Sequence, residues 1–190
     1  MENTSQSDLM HGSRLSQVKF LDRNNGIVLS SGAIGLTNDG GKSWTAVHAS
    51  EEHGYYSFVF ADARNGIAVG SVNNEVPFVL RTIDGGYSWQ TLNLDPGFLN
   101  KDRRITTFLD ACLDSTGKLW IVGNRGIVNA SVEEKRLNVA SVHPTTDILY
   151  GVACAQNGRI WAVGQGTVLS NDNGWQRKQF DQITTSVRSS

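Results

Sequence analysis

The chain has 190 residues, of which 39% are hydrophobic and 18% charged, and its formal net charge at pH 7 is −1. This length suits one domain with a substantial core, and interspersed charges of both signs exclude the basic surface that nucleic acids or anionic membranes require. No apolar run reaches the roughly 18 residues of a membrane-spanning helix. The 20 glycines, against 3 prolines, favour short strands joined by tight turns.

The two ends of the chain differ from its middle. Residues 1–14 are polar and have no apolar centre, so they predict a flexible lead, and no signal peptide is visible. Residues 182–190 are also polar and are predicted to form a C-terminal tail. Residues 15–181 are predicted to form a single repeat domain. The sequence therefore assigns no compartment.

Four similar units follow one another in this domain, and each predicts a blade of four short antiparallel strands. The second strand of each unit is a continuous apolar run, which is typical of a strand buried on both faces. No segment has the 3.6-residue period of a helix. The predicted fold class is therefore all-β, a β-propeller-type array of four four-stranded blades. The predicted blades span residues 16–48, 55–94, 105–143 and 148–181.

Two octets, TNDGGKSW at 37–44 and TIDGGYSW at 82–89, are nearly identical. The Asp-Gly-Gly core predicts a tight turn, with glycines at positive φ and an aspartate that caps nearby amides, while the tryptophan packs in the next strand. A shorter version, SNDNGW, stands at 170–175 in the fourth unit. One carboxylate per turn is too few for a calcium loop, so we interpret these residues as structural. They are Asp39, Gly41, Trp44, Asp84, Gly86, Trp89, Asp172, Gly174 and Trp175.

These octets resemble the Asp-box of BNR repeats, Ser/Thr-x-Asp-x-Gly-x-Ser/Thr-Trp. The segment FADARNGIAVG at 60–70, followed by VLRT at 79–82 and an Asp-box, resembles the photosystem II assembly and stability factor family, the Ycf48-like repeats. The resemblance covers about residues 16–181. It implies a propeller that acts as a non-catalytic scaffold in the assembly of membrane complexes, commonly in an extracytoplasmic or thylakoid-lumenal compartment. Members have seven blades, whereas this sequence supplies four.

Strand alternation predicts where the loops lie. The turn between the first and second strands of a blade shares a face with the Asp-box turn. The loops between the second and third strands, and those between blades, lie on the opposite face, which we call the inter-blade loop face. Loop length varies only there, and variable loops on a rigid scaffold commonly carry binding sites. The candidate binding residues are Glu51, Glu52, His53, Lys101, Arg103 and Arg104.

Each of these clusters has a simpler interpretation as a solvated loop. The arginines can clamp a carboxylate or phosphate, but Asp95 and Asp102 can also pair with them locally. His48 and His53 have no spacing typical of a metal site, so neither a metal nor a cofactor is predicted. A protein partner is expected, self-association to complete a propeller is an option, and nucleic acid is not a predicted ligand.

Asp-boxes also occur in sialidases and other propeller glycosidases, so a glycosidase is an alternative to a scaffold. The Arg-Ile-Pro signature of sialidases is approached only by Arg104-Ile105-Thr106, and no nucleophile elbow or phosphate-binding loop is present. We therefore predict no enzyme activity and no catalytic residue. The alternative function is a carbohydrate-binding or glycosidase/sialidase-derived BNR-repeat module.

Two structural questions stay open at the level of sequence. Cys112 and Cys154 lie in similar apolar contexts, which favours two buried free cysteines, with a disulfide between neighbouring strands as the alternative. A repeat array must also bury its terminal faces. The chain could form a small closed ring of four blades, half of an eight-bladed ring shared by two chains, or part of a longer propeller.

Overall fold

The computed structural model describes residues 14–94, 106–124, 126–132, 136–142 and 145–178, and all regular structure in these ranges is β-strand. The predicted all-β class is confirmed. The lead at 1–14, apart from Arg14, and the tail at 182–190 lie outside the described residues. None of the described segments forms a helix long and apolar enough to cross a membrane.

The strands form four sheets, each built mainly from consecutive antiparallel strands. Sheet 1 contains β1 (Leu15–Phe20), β2 (Gly26–Ser30), β3 (Ala33–Thr37) and β4 (Thr45–Ala49). Sheet 2 contains β5 (His53–Phe60), β6 (Gly66–Val72), β7 (Val76–Thr82) and β8 (Gln90–Thr91). Sheet 3 contains β10 (Phe108–Leu113), β11 (Leu119–Gly123), β12 (Gly126–Val132) and β13 (Arg136–Val142). Sheet 4 contains β14 (Leu149–Cys154), β15 (Ile160–Gly164), β16 (Thr167–Ser170) and β17 (Gln176–Arg177).

One further strand, β9 (Asn93–Leu94), leaves the outer edge of sheet 2 and pairs in parallel with the start of β13 in sheet 3. Leu92, just before it, still donates its amide to Val79 of sheet 2 at 2.8 Å. Consecutive residues of one segment therefore bond to two neighbouring sheets. This arrangement ties the outer edges of sheets 2 and 3 together.

The core lies between successive sheets and consists of three apolar clusters. Sheet 1 packs on sheet 2 through residues such as Ile27 and Phe58, and sheet 2 packs on sheet 3 through residues such as Val69 and Ile121. Sheet 3 packs on sheet 4 around Trp120. Because each middle sheet is covered on both faces, its second strand is apolar without alternation, as the sequence predicts.

In three of the sheets, a glycine at or near the end of the second strand lies opposite a β-bulge. The first strand of each of these sheets has a register shift near its start, and the glycine is paired with the residue just before that shift. A Cβ atom on Gly70, Gly123 or Gly164 would lie 1.9–2.0 Å from a backbone carbonyl oxygen in the first strand or in the residue just before it. The Val-Gly ending of these strands therefore reflects a backbone contact that leaves no room for a side chain.

Side chains at these bulges connect the first strands of successive sheets. The side-chain amide of Gln17 accepts from the Phe58 amide at 2.8 Å and donates to the Phe58 carbonyl at 3.0 Å. The hydroxyl of Ser57 donates to Asp110 at 2.7 Å, and Asp110 accepts from the Val152 amide at 2.8 Å. Each bulge residue thus bonds to the next sheet along the chain.

The preference for two free cysteines is wrong. Cys112 on β10 and Cys154 on β14 form a disulfide with a Cα–Cα distance of 5.7 Å. The two residues are neither next to each other in sequence nor in the same sheet, but first strands of consecutive sheets run side by side. Similar sequence contexts in two repeats therefore placed the cysteines at facing positions across one interface.

The array is not closed within the described residues. Sheets 1 and 4 share no apolar cluster, and each leaves large hydrophobic side chains exposed. The described residues therefore do not form a small closed ring of four blades, one of the three arrangements open from sequence.

Candidate functional site

Hydrogen bonds join neighbouring loops on each of the two predicted faces. On the Asp-box face, the Gly40 amide donates to Asn24 and the Gly85 amide donates to Arg64, each at 2.9 Å. On the inter-blade loop face, the Ser50 amide donates to Gly32 at 3.0 Å and the Asn73 amide donates to Glu52 at 2.9 Å. Each contact joins loops that strand alternation assigns to one face.

The first two Asp-boxes form the same turn. The carboxylate of Asp39 accepts from the Ser43 hydroxyl at 2.6 Å and from the Ser43 amide at 3.0 Å, and Asp84 makes the same two contacts with Ser88. The hydrogen bonds from Ser43 hold the pKa of Asp39 well below its usual range. Both glycines of each box have positive φ, so the turn needs a residue without a side chain at those positions.

The glycine and tryptophan of the second box also belong to the core. A Cβ atom on Gly86 would lie 2.8 Å from Ile27 of sheet 1, so the turn packs directly on the neighbouring sheet. The indole of Trp89 donates to the Gly86 carbonyl at 3.0 Å and is buried, whereas Trp44 of the first box is only half-buried. Gly41 is close to Trp44 and to Phe20, within sheet 1.

The shortened box in sheet 4 differs from the other two. Asp172 accepts from the Ser170 hydroxyl at 3.2 Å and forms ion pairs with Arg159 at 2.8 Å and Lys178 at 3.4 Å. The turn contains positive φ at Asn173 and Gly174. Trp175 packs edge-on against Trp120 of sheet 3, with ring centroids 5.8 Å apart.

A second repeated cap on the Asp-box face was missed in the sequence. Asp22 accepts from the amides of Asn24 and Asn25 at 2.7 and 2.8 Å, and Asp62 makes the same contacts in sheet 2. The signal was present, because both aspartates stand four residues before the glycine that opens the second strand. These carboxylates form Asx turns that fix the first hairpin of each sheet.

The predicted binding residues on the inter-blade loop face are only partly visible. Glu51 and Glu52 are exposed in the turn between sheets 1 and 2, and His53 opens β5. Within the described ranges, neither carboxylate forms an ion pair. Lys101, Arg103 and Arg104 lie outside the described residues, so their role stays a prediction.

A buried tyrosine organises the two histidines of this turn. The hydroxyl of Tyr55, a residue only 2% exposed, lies 2.7 Å from Nδ1 of His48 and 3.1 Å from Nδ1 of His53. A phenol carries one proton, so it donates to one imidazole and accepts from the other. The pair is therefore satisfied when both rings are neutral and of opposite tautomer. The ring of His53 also packs on Phe78, with centroids 4.7 Å apart.

We expect this cluster to make the stability of the fold depend on pH. Burial lowers the pKa of His48, with a further contribution from His53, and burial lowers the pKa of His53, opposed in part by Glu52. Histidine in an unfolded chain titrates at about pH 6.5, so below that pH the unfolded chain binds more protons than the folded one. We expect the midpoint of urea unfolding to fall as the pH drops from neutral through this range.

The test is the double variant His48→Gln with His53→Gln, which removes both imidazole rings. Its urea midpoint should change less with pH than that of the unmodified protein, between neutral pH and the onset of carboxylate titration. Glu51→Gln serves as a control that keeps both imidazoles and the carboxylate of Glu52. The assignment is wrong if the double variant retains the slope of the unmodified protein.

Two asparagines hold the neighbouring loops in place. Neither role was predicted from the sequence. Asn74, at positive φ, accepts from the Tyr56 hydroxyl at 2.6 Å, and its carbonyl accepts from Thr107 at 3.3 Å. The side chain of Asn124 accepts from the amides of Thr106 and Thr107 at 2.9 and 3.0 Å. Isolated asparagines in loops give no pattern by which this role could be found.

Chemically, this face presents hydrogen-bonding groups and two exposed carboxylates, which have no ion-pair partner among the described residues, on loops that are fixed by their own contacts. In the described part of the chain, no three histidine, cysteine, aspartate or glutamate side chains are grouped so as to hold a metal ion. The arrangement is suited to binding a polar or basic segment of another molecule.

The fold is shared with several solved structures. Ycf48 from Cyanidioschyzon merolae matches at a TM-score of 0.66 and 18% identity, over 90% of this chain and 58% of that one. An ancestral GH74 enzyme matches at a TM-score of 0.66 and 18% identity, over 87% of this chain and 25% of that one. A streptogramin B lyase matches at a TM-score of 0.66 and 11% identity, over 94% of this chain and 58% of that one. The chain therefore spans between a quarter and three fifths of these proteins, and at such identities the likeness shows the fold alone.

The sequence itself carries the family assignment. No curated protein matches it significantly. The family model described as photosynthesis system II assembly factor YCF48 matches residues 2–110, more than half of the chain. That match includes both complete Asp-boxes and the segment at 60–70 on which the resemblance rested. The chain belongs to the Ycf48 family of photosystem II assembly factors.

Proposed function

We propose that this chain is a non-catalytic protein-binding module that presents its inter-blade loop face to a partner, in the manner of an assembly scaffold. The observation that supports the proposal is that this face combines fixed loops with exposed charged side chains. Its loops are fixed by hydrogen bonds through Asn74 and Asn124, while Glu51 and Glu52 remain exposed and unpaired within the described residues. Fixed loops with free charged groups bind without a large ordering cost.

The family supports the same proposal. The family is one of assembly factors, and assembly requires contacts with other proteins, while the carboxylates of Asp39 and Asp84 serve as turn caps. The chemistry of the face favours a partner segment that brings lysine or arginine to Glu51 and Glu52. The predicted basic group Lys101, Arg103 and Arg104 would then contact an acidic part of the same partner.

The test uses peptides selected from a random displayed library against the full chain. The variant Glu51→Lys with Glu52→Lys should weaken binding of the selected peptides at least about tenfold, which corresponds to about 1.4 kcal/mol. The control reverses two exposed charges on the opposite face, as Lys42→Glu with Arg64→Glu, and should leave affinity within about twofold. Loss of binding in the control and not in the loop variant would contradict the proposal.

The same protein separates this proposal from the carbohydrate alternative. A glycan array and a panel of fluorogenic glycosides are expected to give no signal above that of an unrelated propeller. Turnover of a glycoside that is lost in Arg104→Ala would show that the chain is an enzyme and would replace the scaffold proposal.

A further inference from the structure

The shortened Asp-box of sheet 4 leaves a part of sheet 3 uncovered. Ile27 of sheet 1 and Trp120 of sheet 3 hold the same place, three residues before the residue of the second strand that lies opposite the bulge. Ile27 is covered by the complete box of sheet 2, because a Cβ atom on Gly86 would lie 2.8 Å from its side chain. The matching glycine of sheet 4 is Gly174, which is exposed, and a Cβ atom there would have no neighbour within 4 Å. The box of sheet 4 contacts Trp120 through Trp175, but its turn packs less closely on sheet 3 than the turn of sheet 2 packs on sheet 1.

A cleft of about 530 Å³ lies at this part of sheet 3. Its lining comes from the turn between β10 and β11 and from β12 and β13, and consists of Thr116, Gly117, Lys118, Asn129, Ser131, Val132 and Asn138. Asn129 pairs with Trp120 and Ser131 pairs with Asn138, so their side chains share the face that packs on sheet 4. In sheet 1 the place of Asn129 is taken by Leu36, which is buried beneath the box of sheet 2. Where the next turn does not pack closely, the chain thus has a carboxamide instead of an apolar side chain.

Several polar groups of the cleft are available to a ligand. Within the described ranges, the side chains of Asn129 and Ser131 have no hydrogen-bond partner, and Lys118 forms no ion pair. The ammonium of Lys118 lies 5.1 Å from the centroid of the Trp120 ring, which favours a position of the charge beside the cleft. Asp114 of the same turn accepts from the Lys118 amide at 3.1 Å and from the Trp120 indole at 2.9 Å, so its carboxylate is engaged within the turn. The lining residues include one cation and no acidic side chain.

We propose that this cleft binds a small hydroxylated carboxylic acid. The single cation of Lys118 matches one carboxylate. The carboxamides of Asn129 and Asn138 and the hydroxyl of Ser131 both donate and accept hydrogen bonds, as the hydroxyl groups of such a ligand do. The volume is within the range of pockets that hold small organic molecules and is much larger than an inorganic anion requires.

The position of the cleft separates it from the proposed protein-binding surface. The turn between β10 and β11, which forms one wall, joins the first and second strands of its sheet and therefore belongs to the Asp-box face. The proposed function rests on the opposite, inter-blade loop face. Binding of a small acid in the cleft and binding of a protein partner can therefore succeed or fail separately.

Titration of sodium gluconate into the 15N-labelled full chain tests the inference, with the amide and indole resonances as the readout. We expect saturable shifts at the carboxamides of Asn129 and Asn138 and at the indole of Trp120, with a dissociation constant of about 1 mM or below. Sorbitol has the hydroxyl groups without the carboxylate, and hexanoate has the carboxylate without the hydroxyl groups. Each should bind at least about tenfold more weakly than gluconate.

Two variants and a control assign the shifts to the cleft. Lys118→Gln removes the cation and should raise the dissociation constant for gluconate at least about tenfold, and Asn129→Leu, which introduces the residue type found in sheet 1, should raise it at least about fivefold. Lys19→Gln is the matched control, because Lys19 also lies over an aromatic ring, 5.8 Å from the centroid of Phe60, but does not line the cleft. It should leave the affinity within about twofold. The absence of saturable shifts, equal affinity for sorbitol or hexanoate, or unchanged affinity in Lys118→Gln would each overturn the proposal.

Discussion

Replacing Gly123 with alanine is expected to lower the free energy of unfolding by about 3 kcal/mol or more, because the new methyl group would overlap a backbone carbonyl. Its Cβ atom would lie 1.9 Å from the Thr107 oxygen, and the nearest atoms belong to the main chain, which cannot move aside as a flexible side chain can. The bulge at the start of β10 would have to be rebuilt. Urea unfolding followed by tryptophan fluorescence measures the change.

Gly32→Ala is the matched control for this prediction. A Cβ atom there would have its nearest neighbour at 3.7 Å, in ordinary van der Waals contact, and the residue does not adopt a left-handed conformation. We expect no loss of stability, with a gain of up to about 1 kcal/mol from the stiffer unfolded chain. Equal losses in the two variants would show that the close carbonyl is not the cause.

Removing the disulfide, as Cys112→Ala with Cys154→Ala, should cost about 2–4 kcal/mol of stability. The two cysteines are 42 residues apart, so the bond restricts a long loop in the unfolded chain, and it joins the first strands of sheets 3 and 4. The measurement is the urea midpoint with and without a reductant. Reductant should lower the midpoint of the unmodified protein and leave that of the double variant unchanged. A midpoint that does not respond to reductant in either protein would contradict the prediction.

The architecture could be predicted from the sequence because the same local patterns recur in several repeats. Two features have a direct structural cause: the Asp-boxes are capped turns, and the continuous apolar second strands of the two middle sheets are covered on both faces. The division of the loops into two faces followed from strand alternation alone. The disulfide could not be predicted in the same way, because it depends on the facing of two strands from different sheets.

The candidate site was less accessible to sequence reasoning. Glu51, Glu52 and His53 were found as an irregular loop, but the role of Tyr55 was not, since a tyrosine in an apolar strand is typical of the core. Its hydroxyl lies between two imidazoles only because the turn at 50–52 folds His48 and His53 back over the same strand. Contacts of this kind depend on where a loop reverses direction, which residue types alone do not encode.

The crossing of β9 from one sheet to the next has a consequence for how the molecule opens. Sheets 2 and 3 share that segment, and sheets 3 and 4 share the disulfide, whereas sheet 1 is joined to sheet 2 by packing, by the Gln17 bridge and by the contact of His48 with Tyr55. The strands β2 and β11 are equally buried, yet they differ in how many connections must break before water reaches them. Sheet 1 is thus the least anchored part of the array, and local opening there leaves the other three sheets intact.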